Sequence, residues 1–485
     1  MLFRQFFDPK LAQYAYLVGC QKTKEALVID PLRDIAQYAA AAAEEGLTIT
    51  AVAETHIHAD FLSGARQFAE DHGAKLYLSD EGAADGWASN WAKEGDYDVT
   101  FLRDGDTFRI GNIEVKAIHT PGHTPEHLSF QITDHGGGAT EPMGLVTGDF
   151  VFVGDLGRPD LLESAAKVEN VMRPSAEKLY RSAQGFLGMD EFLQVWPGHG
   201  AGSACGKALG AVPQTTVGYE KRFNPMLGAA QQSEDVFVDA ILDGQPEPPL
   251  YFARMKALNR DGVPVLKGLP QPTALSAEDL KQGLPEGAIL VDTRADRSAF
   301  MASHLPGALY SPFDRQFNQT VGSLVEDAET PLVLLIDEAH VEEAVRDLVR
   351  IGYDRVVHYV TPEAFAAYAQ AGGETAMIEE IDFEELEHRR DQEGTAVVDV
   401  RRRTEFEAGH VPGAINAAHA RLPEYRERIP EGQTLLVHCQ SGARAALGAA
   451  YLAREGYDVV YVNDAFPRYA EAFEVAEGGE ATEVN

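Results

Sequence analysis

Four short apolar segments in the first 200 residues of the chain each run into a histidine or an aspartate. The first segment precedes the motif THIHADF at 55–61, and a helical pattern follows from residue 63 to residue 71. The other segments end in the motifs HTPGH at 119–123, TGD at 147–149 and PGHG at 197–200. A strand, a tight polar turn and a helix bring imidazole and carboxylate groups together, where they suit a metal ion. Four such strand ends in series predict a layered α/β fold with a metal site at one edge of its sheets.

The order of these motifs resembles the metallo-β-lactamase superfamily, and within it the persulfide dioxygenase branch, which is similar to glyoxalase II. The resemblance covers about the first half of the chain and implies an α/β fold of the αββα sandwich type. It also implies a mononuclear metal site whose ligands are His56, His123 and Asp149. Two histidines and one carboxylate that leave coordination positions open form the facial triad of non-haem Fe(II) oxygenases. The resemblance therefore implies Fe(II), whereas the ligand types alone leave Fe, Zn and Mn open.

One position departs from the pattern of the binuclear zinc hydrolases in this superfamily. Those enzymes carry a histidine directly after the motif aspartate, as a ligand of the second metal, and this chain has Phe61. An apolar ring in place of the imidazole weakens a second site, although Asp60, Asp149 and His199 still offer ligand atoms. We therefore expect one metal per chain. We expect His58, Asp60 and His199 to orient the ligands or donate protons, or to remain from a second metal site.

Five further residues are candidates for the surroundings of the substrate, and each has a plainer alternative. Arg158 and Asp160 follow the TGD motif and form either an ion pair that holds the metal loops or an ordinary loop salt bridge. Cys205 lies in a small-residue loop, where it either faces the pocket with a neighbouring lysine favouring its thiolate or is a buried inert cysteine. Lys221 and Arg222 either supply cations for the carboxylates of a glutathione-like thiol or belong to a solvated face.

The C-terminal half contains two copies of one α/β pattern. Proline-rich stretches at 245–249 and 262–272 mark the junction before them. The motif DxR followed by HxPGA occurs at 292–308 and again at 399–414. This pattern resembles the rhodanese domain, a sulfurtransferase fold, across the whole C-terminal half. We therefore expect a metallo-β-lactamase-like domain and two rhodanese-like domains, at 1–262, 273–375 and 376–476.

The two copies differ at one strand-to-helix turn. In the second copy a strand leads into HCQSGAR at 438–444, and backbone N–H groups at such a turn stabilise the thiolate or persulfide of Cys439. Arg444 adds a permanent charge, and the loop is one residue tighter than the phosphate-binding loop of cysteine phosphatases, which suits sulfur. The alternative is a buried strand-end cysteine. The first copy reaches this turn at Asp337 with neither cysteine nor arginine, so we expect a structural or docking role for it.

The composition excludes several classes of partner. Acidic residues number 76 and basic residues 41, which gives a net charge of −35 at pH 7. This balance argues against nucleic acid and against an anionic membrane as partners, since binding phosphate needs clustered lysine and arginine. The three cysteines lie far apart and form no disulfide framework, and no membrane span or signal peptide is visible. We expect a cytoplasmic homo-oligomer.

The two resemblances together imply an enzyme of hydrogen sulfide metabolism. The N-terminal domain is expected to oxidise a low-molecular-weight thiol persulfide with O2 to sulfite and thiol, the thiol being glutathione, coenzyme A or bacillithiol. Cys439 is expected to carry sulfane sulfur, either passing it to sulfite to give thiosulfate or cleaving thiosulfate to make persulfide. One alternative is a Zn-dependent thioester hydrolase of the glyoxalase II kind, against which Phe61 and the rhodanese pattern count. The other is a persulfide carrier without oxidative chemistry.

Overall fold

The computed structural model of the chain describes residues 1–164 and 171–478. The chain divides into two compact units, the first comprising residues 1–268 with 350–352 and the second comprising the remainder. Within the described ranges, no helix combines the length and the apolar character needed to cross a bilayer.

In the described part of the first unit, two six-stranded sheets form the frame. The first sheet consists, in order across the sheet, of β1 (Leu2–Asp8), β2 (Gln13–Cys20), β3 (Glu25–Ile29), β4 (Thr48–Ala53), β5 (Lys75–Ser79) and β6 (Val99–Leu102). The second consists of β7 (Thr107–Ile110), β8 (Ile113–His119), β9 (Leu128–Asp134), β10 (Gly144–Gly148), β11 (Gln194–Pro197) and β12 (Thr215–Thr216). Strands β3 to β6 run parallel, as do β10 and β11, and the other neighbouring pairs are antiparallel.

Helices cover the outer faces of both sheets. They are α1 (Ala36–Glu44), α2 (Ala65–His72), α3 (Asn90–Glu94), α4 (Leu161–Ser164), α5 (Met172–Leu187), α6 (Val217–Phe223), α7 (Pro225–Ala230), α8 (Glu234–Leu242) and α9 (Tyr251–Asp261). Helices α1 and α2 lie against β4. Helices α5, α7 and α8 bury apolar side chains against Leu145 of β10 and Val195 of β11.

The core of the first unit lies between the two sheets. Strand β8 shows how the sequence builds it, because Ile113, Val115 and Ala117 are buried while Glu114 and Lys116 between them are not. Inward-facing side chains of both sheets form one apolar cluster. Two packed sheets with helices on both outer faces confirm the predicted αββα sandwich.

Over the described part of the second unit, two five-stranded parallel sheets share one topology. The first contains β13 (Thr273–Ala274), β14 (Ile289–Asp292), β15 (Leu309–Tyr310), β16 (Leu332–Leu335) and β17 (Val356–Val360), in the order β13-β17-β16-β14-β15. The second contains β18 (Glu379–Ile381), β19 (Thr395–Asp399), β20 (Ile415–Asn416), β21 (Thr434–His438) and β22 (Asp458–Val462), in the order β18-β22-β21-β19-β20. The same order in both sheets matches the repeat predicted from the sequence.

Ten helices are described in the C-terminal half of the chain, within residues 269–478. They are α10 (Ala277–Lys281), α11 (Arg297–Ala302), α12 (Phe317–Leu324), α13 (Val341–Arg350), α14 (Pro362–Gln370), α15 (Phe383–Arg389), α16 (Arg403–Glu407), α17 (Leu422–Tyr425), α18 (Ala443–Arg454) and α19 (Phe466–Ala472). Apolar side chains of α15, α16 and α19 pack on the second sheet around Leu436 and Val460.

The repeated DxR motif is a buried ion pair at a strand end. Asp292 ends β14 and accepts a hydrogen bond of 2.6 Å from Arg294, and Asp399 ends β19 and accepts one of 2.6 Å from Arg401. Arg401 also donates to the carbonyl of Gly409, directly before the HxPGA motif. The motif therefore fastens the carboxyl end of a parallel strand to the following loop, which explains why both copies carry it.

Candidate functional site

His56 lies directly after β4, and its ring orientation is fixed by a short hydrogen-bonded chain. The Thr55 hydroxyl donates to Asp30 Oδ2 at 2.8 Å, so its oxygen accepts the Nδ1–H of His56 at 2.9 Å. This arrangement leaves a lone pair on His56 Nε2, as metal ligation requires. Burial, followed by the charge of nearby histidines, holds the pKa of His56 well below its ordinary value of 6.5.

His123 and Asp149 present their polar atoms to the same point. His123 Nδ1–H donates to the backbone carbonyl of Arg158 at 3.0 Å, which leaves the lone pair on Nε2. Among the described residues, His123 Nε2 and both carboxylate oxygens of Asp149 are buried without a hydrogen-bond partner. Asp149 Oδ2 lies 3.8 Å from His56 Nε2 and 3.5 Å from His123 Nε2. Burial raises the pKa of Asp149 to about 6.

The donor set of these three residues fits a metal ion. One ligand atom from each of His56, His123 and Asp149 lies within 4.8 Å of the others. Buried polar atoms without partners cost several kcal/mol, and a bound cation removes that cost. Two imidazole nitrogens and a carboxylate suit Fe, Zn or Mn. The structure thus brings together the three residues that the sequence indicated as ligands.

A second cluster lies beside the first and consists of Asp60, His199 and Cys205. His199 Nε2 lies 3.4 Å from Asp60 Oδ2 and 3.5 Å from Asp149 Oδ1, so the two clusters adjoin. Phe61 is fully buried and packs on the His58 ring, with 4.3 Å between ring centroids. The second cluster therefore has one imidazole, one carboxylate and one thiol, and the phenyl ring adds no ligand to it.

His58 is engaged by carboxylates instead of belonging to either of these clusters. Its Nε2 lies 3.0 Å from Glu54 Oε2 and 3.3 Å from Asp30 Oδ1. Burial alone would lower the pKa of His58, but Asp30 and Glu54 raise it well above 6.5. Because Asp30 also accepts from the backbone N–H and hydroxyl of Thr55, His58 supports the chain of contacts that orients His56.

Arg158 connects the loops that carry the candidate metal ligands. Its guanidinium forms a bidentate ion pair with Asp160, at 2.7 and 2.6 Å, and donates to the carbonyl of Ala204 at 3.2 Å. Its backbone carbonyl orients His123, as described above. Asp149 and Gly157 are also in close contact, because a Cβ on Gly157 would lie 1.8 Å from the Asp149 carbonyl oxygen. For the Arg158–Asp160 pair, the structure favours an ion pair that holds the metal-binding loops over an ordinary loop salt bridge.

The cations predicted for the substrate pocket are engaged elsewhere. Lys207 was expected to favour the Cys205 thiolate, but its ammonium donates to two backbone carbonyls at 2.8 Å each, and burial raises the pKa of the Cys205 thiol well above its ordinary value. Lys221 donates to the carbonyl of Met189, and Arg222 pairs with an acidic surface residue at 3.1 Å. The structure does not bring Lys221 or Arg222 to the two clusters of candidate metal ligands.

Two residues that hold the candidate metal-binding loops were not predicted from the sequence. His127 Nε2 accepts the backbone N–H of Asp149 at 3.1 Å, and its ring stacks on His56 with 5.0 Å between centroids. Asn259 of α9 donates to the carbonyls of His58 and Phe61, at 2.9 and 2.7 Å. His127 lies four residues after the predicted ligand His123, and this spacing could have identified it from the sequence. Nothing near Asn259 in the sequence pointed to its contacts.

Cys439 lies between β21 and α18, at the predicted strand-to-helix turn, and its side chain is buried. Gly442 closes the turn with φ of 83°, and a Cβ there would lie 2.6 Å from Asn463 Oδ1, so glycine is required. Arg444 forms a bidentate ion pair with Glu405, at 2.6 and 2.7 Å. The arginine predicted to face the sulfur is therefore held at the loop by a carboxylate.

Comparison with known proteins identifies a family for part of each half of the chain. The profile of the metallo-beta-lactamase superfamily matches residues 8–199, and that of the rhodanese-like domain matches residues 382–472. The crystal structure of a metallo-beta-lactamase from Staphylococcus aureus subsp. aureus COL is 39% identical, with a TM-score of 0.66. That similarity covers 75% of this chain and 99% of the staphylococcal chain.

Two curated relatives match over part of their length. The mitochondrial persulfide dioxygenase ETHE1 of Bos taurus is 29% identical over 182 residues, which are 37% of this chain and 63% of that protein. A beta-lactamase hydrolase-like protein of Xylella fastidiosa (strain 9a5c) is 27% identical over 301 residues, or 57% of this chain and 63% of that protein. The chain thus spans less than two thirds of either relative. As the motif order predicted, it belongs to the metallo-β-lactamase superfamily and carries a C-terminal rhodanese-like domain.

Proposed function

We propose that the chain is a persulfide dioxygenase joined to a sulfurtransferase. The first unit oxidises a low-molecular-weight persulfide according to RSSH + O2 + H2O → RSH + SO3²⁻ + 2H⁺. The observation that carries this proposal is the convergence of His56, His123 and Asp149, whose ligand atoms all lie within 4.8 Å of one another. Similarity to the bovine persulfide dioxygenase supports the reaction, and a rhodanese-like domain on the same chain supports sulfur as the shared element.

The metal that we propose for this site is a single Fe(II), held by His56, His123 and Asp149. When bound, such an ion supplies the chemistry with O2 that amino-acid side chains do not provide. The protein fixes the ligand orientations, since Thr55 sets the tautomer of His56 and the Arg158 carbonyl sets that of His123. The adjoining cluster of Asp60, His199 and Cys205 is suited to hold or deliver protons to the reacting sulfur.

For the second site we propose that Cys439 carries sulfane sulfur as an enzyme persulfide. The overall transfer is RSSH + SO3²⁻ → RSH + S2O3²⁻, which runs in either direction according to supply. The first half-reaction moves the outer sulfur to the Cys439 thiolate and releases RSH, and the second moves it to sulfite. The Arg444–Glu405 ion pair lies at the same strand-to-helix turn, and backbone N–H groups at such a turn stabilise an anionic sulfur.

The domain organisation that we propose has boundaries at 1–262, 273–375 and 376–476. The first rhodanese-like copy has Asp337 at the turn where the second copy has Cys439. It therefore serves as a structural partner of the second copy and performs no sulfur transfer itself.

The decisive experiment is O2 uptake by the iron-loaded full chain on addition of glutathione persulfide. We expect uptake with sulfite formation, and neither in Asp149→Ala. Absence of uptake in protein shown to contain iron would exclude the reaction for that thiol, and persulfides of coenzyme A and bacillithiol would be tested next.

A thioester hydrolase is the rival function, and the adjoining Asp60–His199–Cys205 cluster is the observation in its favour. Two zinc ions per chain and hydrolysis of a glutathione thioester would establish it. One metal per chain and no hydrolysis would leave the dioxygenase as the function of the first unit.

A further inference from the structure

Helix α9 is fastened to the loop that carries the first metal-binding motif. Asn259 on this helix accepts the backbone N–H of Ser63 at 2.9 Å and donates to the carbonyls of His58 and Phe61. Three hydrogen bonds from one buried side chain fix which face of α9 meets the motif. Residues three positions apart share a helix face, so Lys256 projects from the same face as Asn259.

Lys256 is a cation on the buried face of α9. Its side chain is 2% exposed, and Nζ has no acceptor within hydrogen-bond distance among the residues that the structure describes. The ammonium lies 5.2 Å from the centroid of the Trp87 ring. Trp87 in turn lines a small cavity of about 30 Å³ together with His56 and Glu126. An ammonium offers three N–H donors, and leaving all of them unpaired in the interior is costly.

The charge of Lys256 acts on Cys205 of one candidate metal-binding cluster and on His123 of the other. Burial lowers the pKa of Lys256 to about 8, and Glu126 and Cys205 oppose that shift. Burial, and after it the charge of Lys256, lowers the pKa of His123 well below 6.5. With a pKa of about 8 the side chain remains mostly protonated at neutral pH. One carboxylate oxygen of Glu126 is also buried without a partner, so Lys256 is not neutralised by a direct ion pair within the described residues.

We propose that Lys256 is the anion-binding residue of the metal pocket and that its ligand is a sulfur oxyanion, sulfite or the sulfonate-like group from which sulfite leaves. The location of this ligand rests on the proposed function. The ammonium donates hydrogen bonds to the oxygen atoms of sulfite, which the persulfide substrate does not have. Such a contact strengthens as oxygen is added to sulfur, so it favours product-like states over the bound persulfide.

Other cations of the first unit fit this role less well. Lys207 donates to two backbone carbonyls, Lys221 donates to a third, and Arg158 is held in a bidentate pair by Asp160. Lys256 combines burial, an Nζ that pairs with no described residue, and attachment to the first metal-binding motif through its own helix. The chain therefore supplies a matched control, since Lys207 carries the same charge in the same unit with its donors already used.

The test measures sulfite binding by calorimetry under nitrogen on the full chain loaded with Zn(II), which does not react with O2. All proteins carry Cys439→Ser, so that the second site does not react with the probe. We expect Lys256→Met to raise the Kd for sulfite about ten- to a hundredfold, as loss of a charge-assisted hydrogen bond does. Lys256→Arg, which keeps the charge, is expected to stay within about threefold of the parent, and Lys207→Met within about twofold.

Equal sulfite affinity in Lys256→Met and the parent, at equal zinc content and equal Tm, would overturn the inference. If Lys256→Met fails to fold, Lys256→Gln is held to the same criterion. O2 uptake by the iron-loaded parent separates this inference from the proposed function. If O2 is taken up but sulfite binding does not depend on Lys256, only this inference is wrong. If sulfite binding depends on Lys256 but no persulfide causes O2 uptake, the dioxygenase function is excluded and the anion site remains.

Discussion

Asp149 is the residue at which burial and charge most directly affect stability. Its carboxylate is buried without a hydrogen-bond partner among the described residues, and burial raises its pKa from 3.8 to about 6. Between these pH values the folded metal-free chain keeps a proton on Asp149 that the unfolded chain has released. Stability of the metal-free first unit therefore falls as pH rises from about 4 to about 6, by on the order of 3 kcal/mol from this group.

Asp149→Asn tests this prediction because the amide does not titrate. In chelator-treated protein we expect the Tm of Asp149→Asn to exceed that of the parent by several degrees at pH 7, and the difference to shrink towards pH 4.5. Thermal melts across this range provide the measurement. A Tm difference that does not change with pH would contradict the prediction.

Phe61 is the residue that we expect to limit the number of metal ions. Asp60 and His199 lie in the adjoining cluster, and Phe61 follows Asp60 directly in the motif. Phe61→His supplies an imidazole at that position, so the zinc content is expected to rise from one to two per chain. Phe61→Leu, which removes the ring without adding a ligand atom, should stay at one. Elemental analysis of zinc-saturated protein decides, and one zinc in Phe61→His would show that this position does not control the second site.

Residues that the sequence identified at the site share one property, which is a position at or shortly after the end of a strand. His56, His123 and Asp149 have it, and the two sheets of the sandwich bring these strand ends together. Lys256 and Asn259 lack it, because they belong to a helix about 200 residues further along the chain than His56. Their role depends on how α9 packs, and no local pattern encodes that.

At the scale of elements, helix α11 of the first copy of the repeat contacts the turn that contains Cys439 of the second. Arg297 donates to the carbonyl of Ser441 at 3.1 Å and to Asn463 Oδ1 at 3.0 Å. The copy without a cysteine therefore helps to fix the Cys439 loop. We expect Arg297→Gln to lower kcat/KM for thiosulfate sulfur transfer about tenfold, because a misplaced loop orients its N–H groups poorly.

The matched control for Arg297 is Arg454, which donates from the second copy to the carbonyl of Gly307 in the first at 2.7 Å. Arg454→Gln breaks a bond between the copies without touching the Cys439 loop, so its kcat/KM should stay within about twofold of the parent. A cyanide-dependent thiosulfate assay compares both variants at matched Tm. Equal losses in the two would indicate general loosening of the copies instead of loop positioning.

The strands of this protein were easier to predict than the contacts between its elements. Alternation in β8 and continuous apolar runs in β14 and β19 carry a period or a composition that a short window reveals. The Arg297–Ser441 bond joins residues 144 positions apart and depends on the packing of two copies. Sequence spacing predicted the repeat itself, but not that the first copy contacts the Cys439 loop of the second.

At the scale of the whole molecule, the two halves were predictable for different reasons. The first half is constrained by convergence of ligands, since the motif order had to match strand ends in an αββα sandwich. The second half is constrained by repetition, since two DxR…HxPGA patterns gave two sheets of the same strand order. Neither the ligand motifs nor the repeat encodes a transfer of sulfur between the two sites. A measurement on the full chain in solution tests that transfer.

Product analysis tests that coupling in the full chain. Iron-loaded protein given glutathione persulfide in air is expected to form sulfite first and then thiosulfate, because Cys439 passes sulfane sulfur to the sulfite made at the first site. Cys439→Ser should take up O2 at the parent rate and accumulate sulfite alone, after subtraction of the reaction measured without protein. Asp149→Ala should take up no O2, yet form thiosulfate at the parent rate when sulfite is added. If Cys439→Ser still converts sulfite to thiosulfate at the parent rate, the sulfur is carried elsewhere, and the chain is a dioxygenase whose rhodanese-like half serves another reaction.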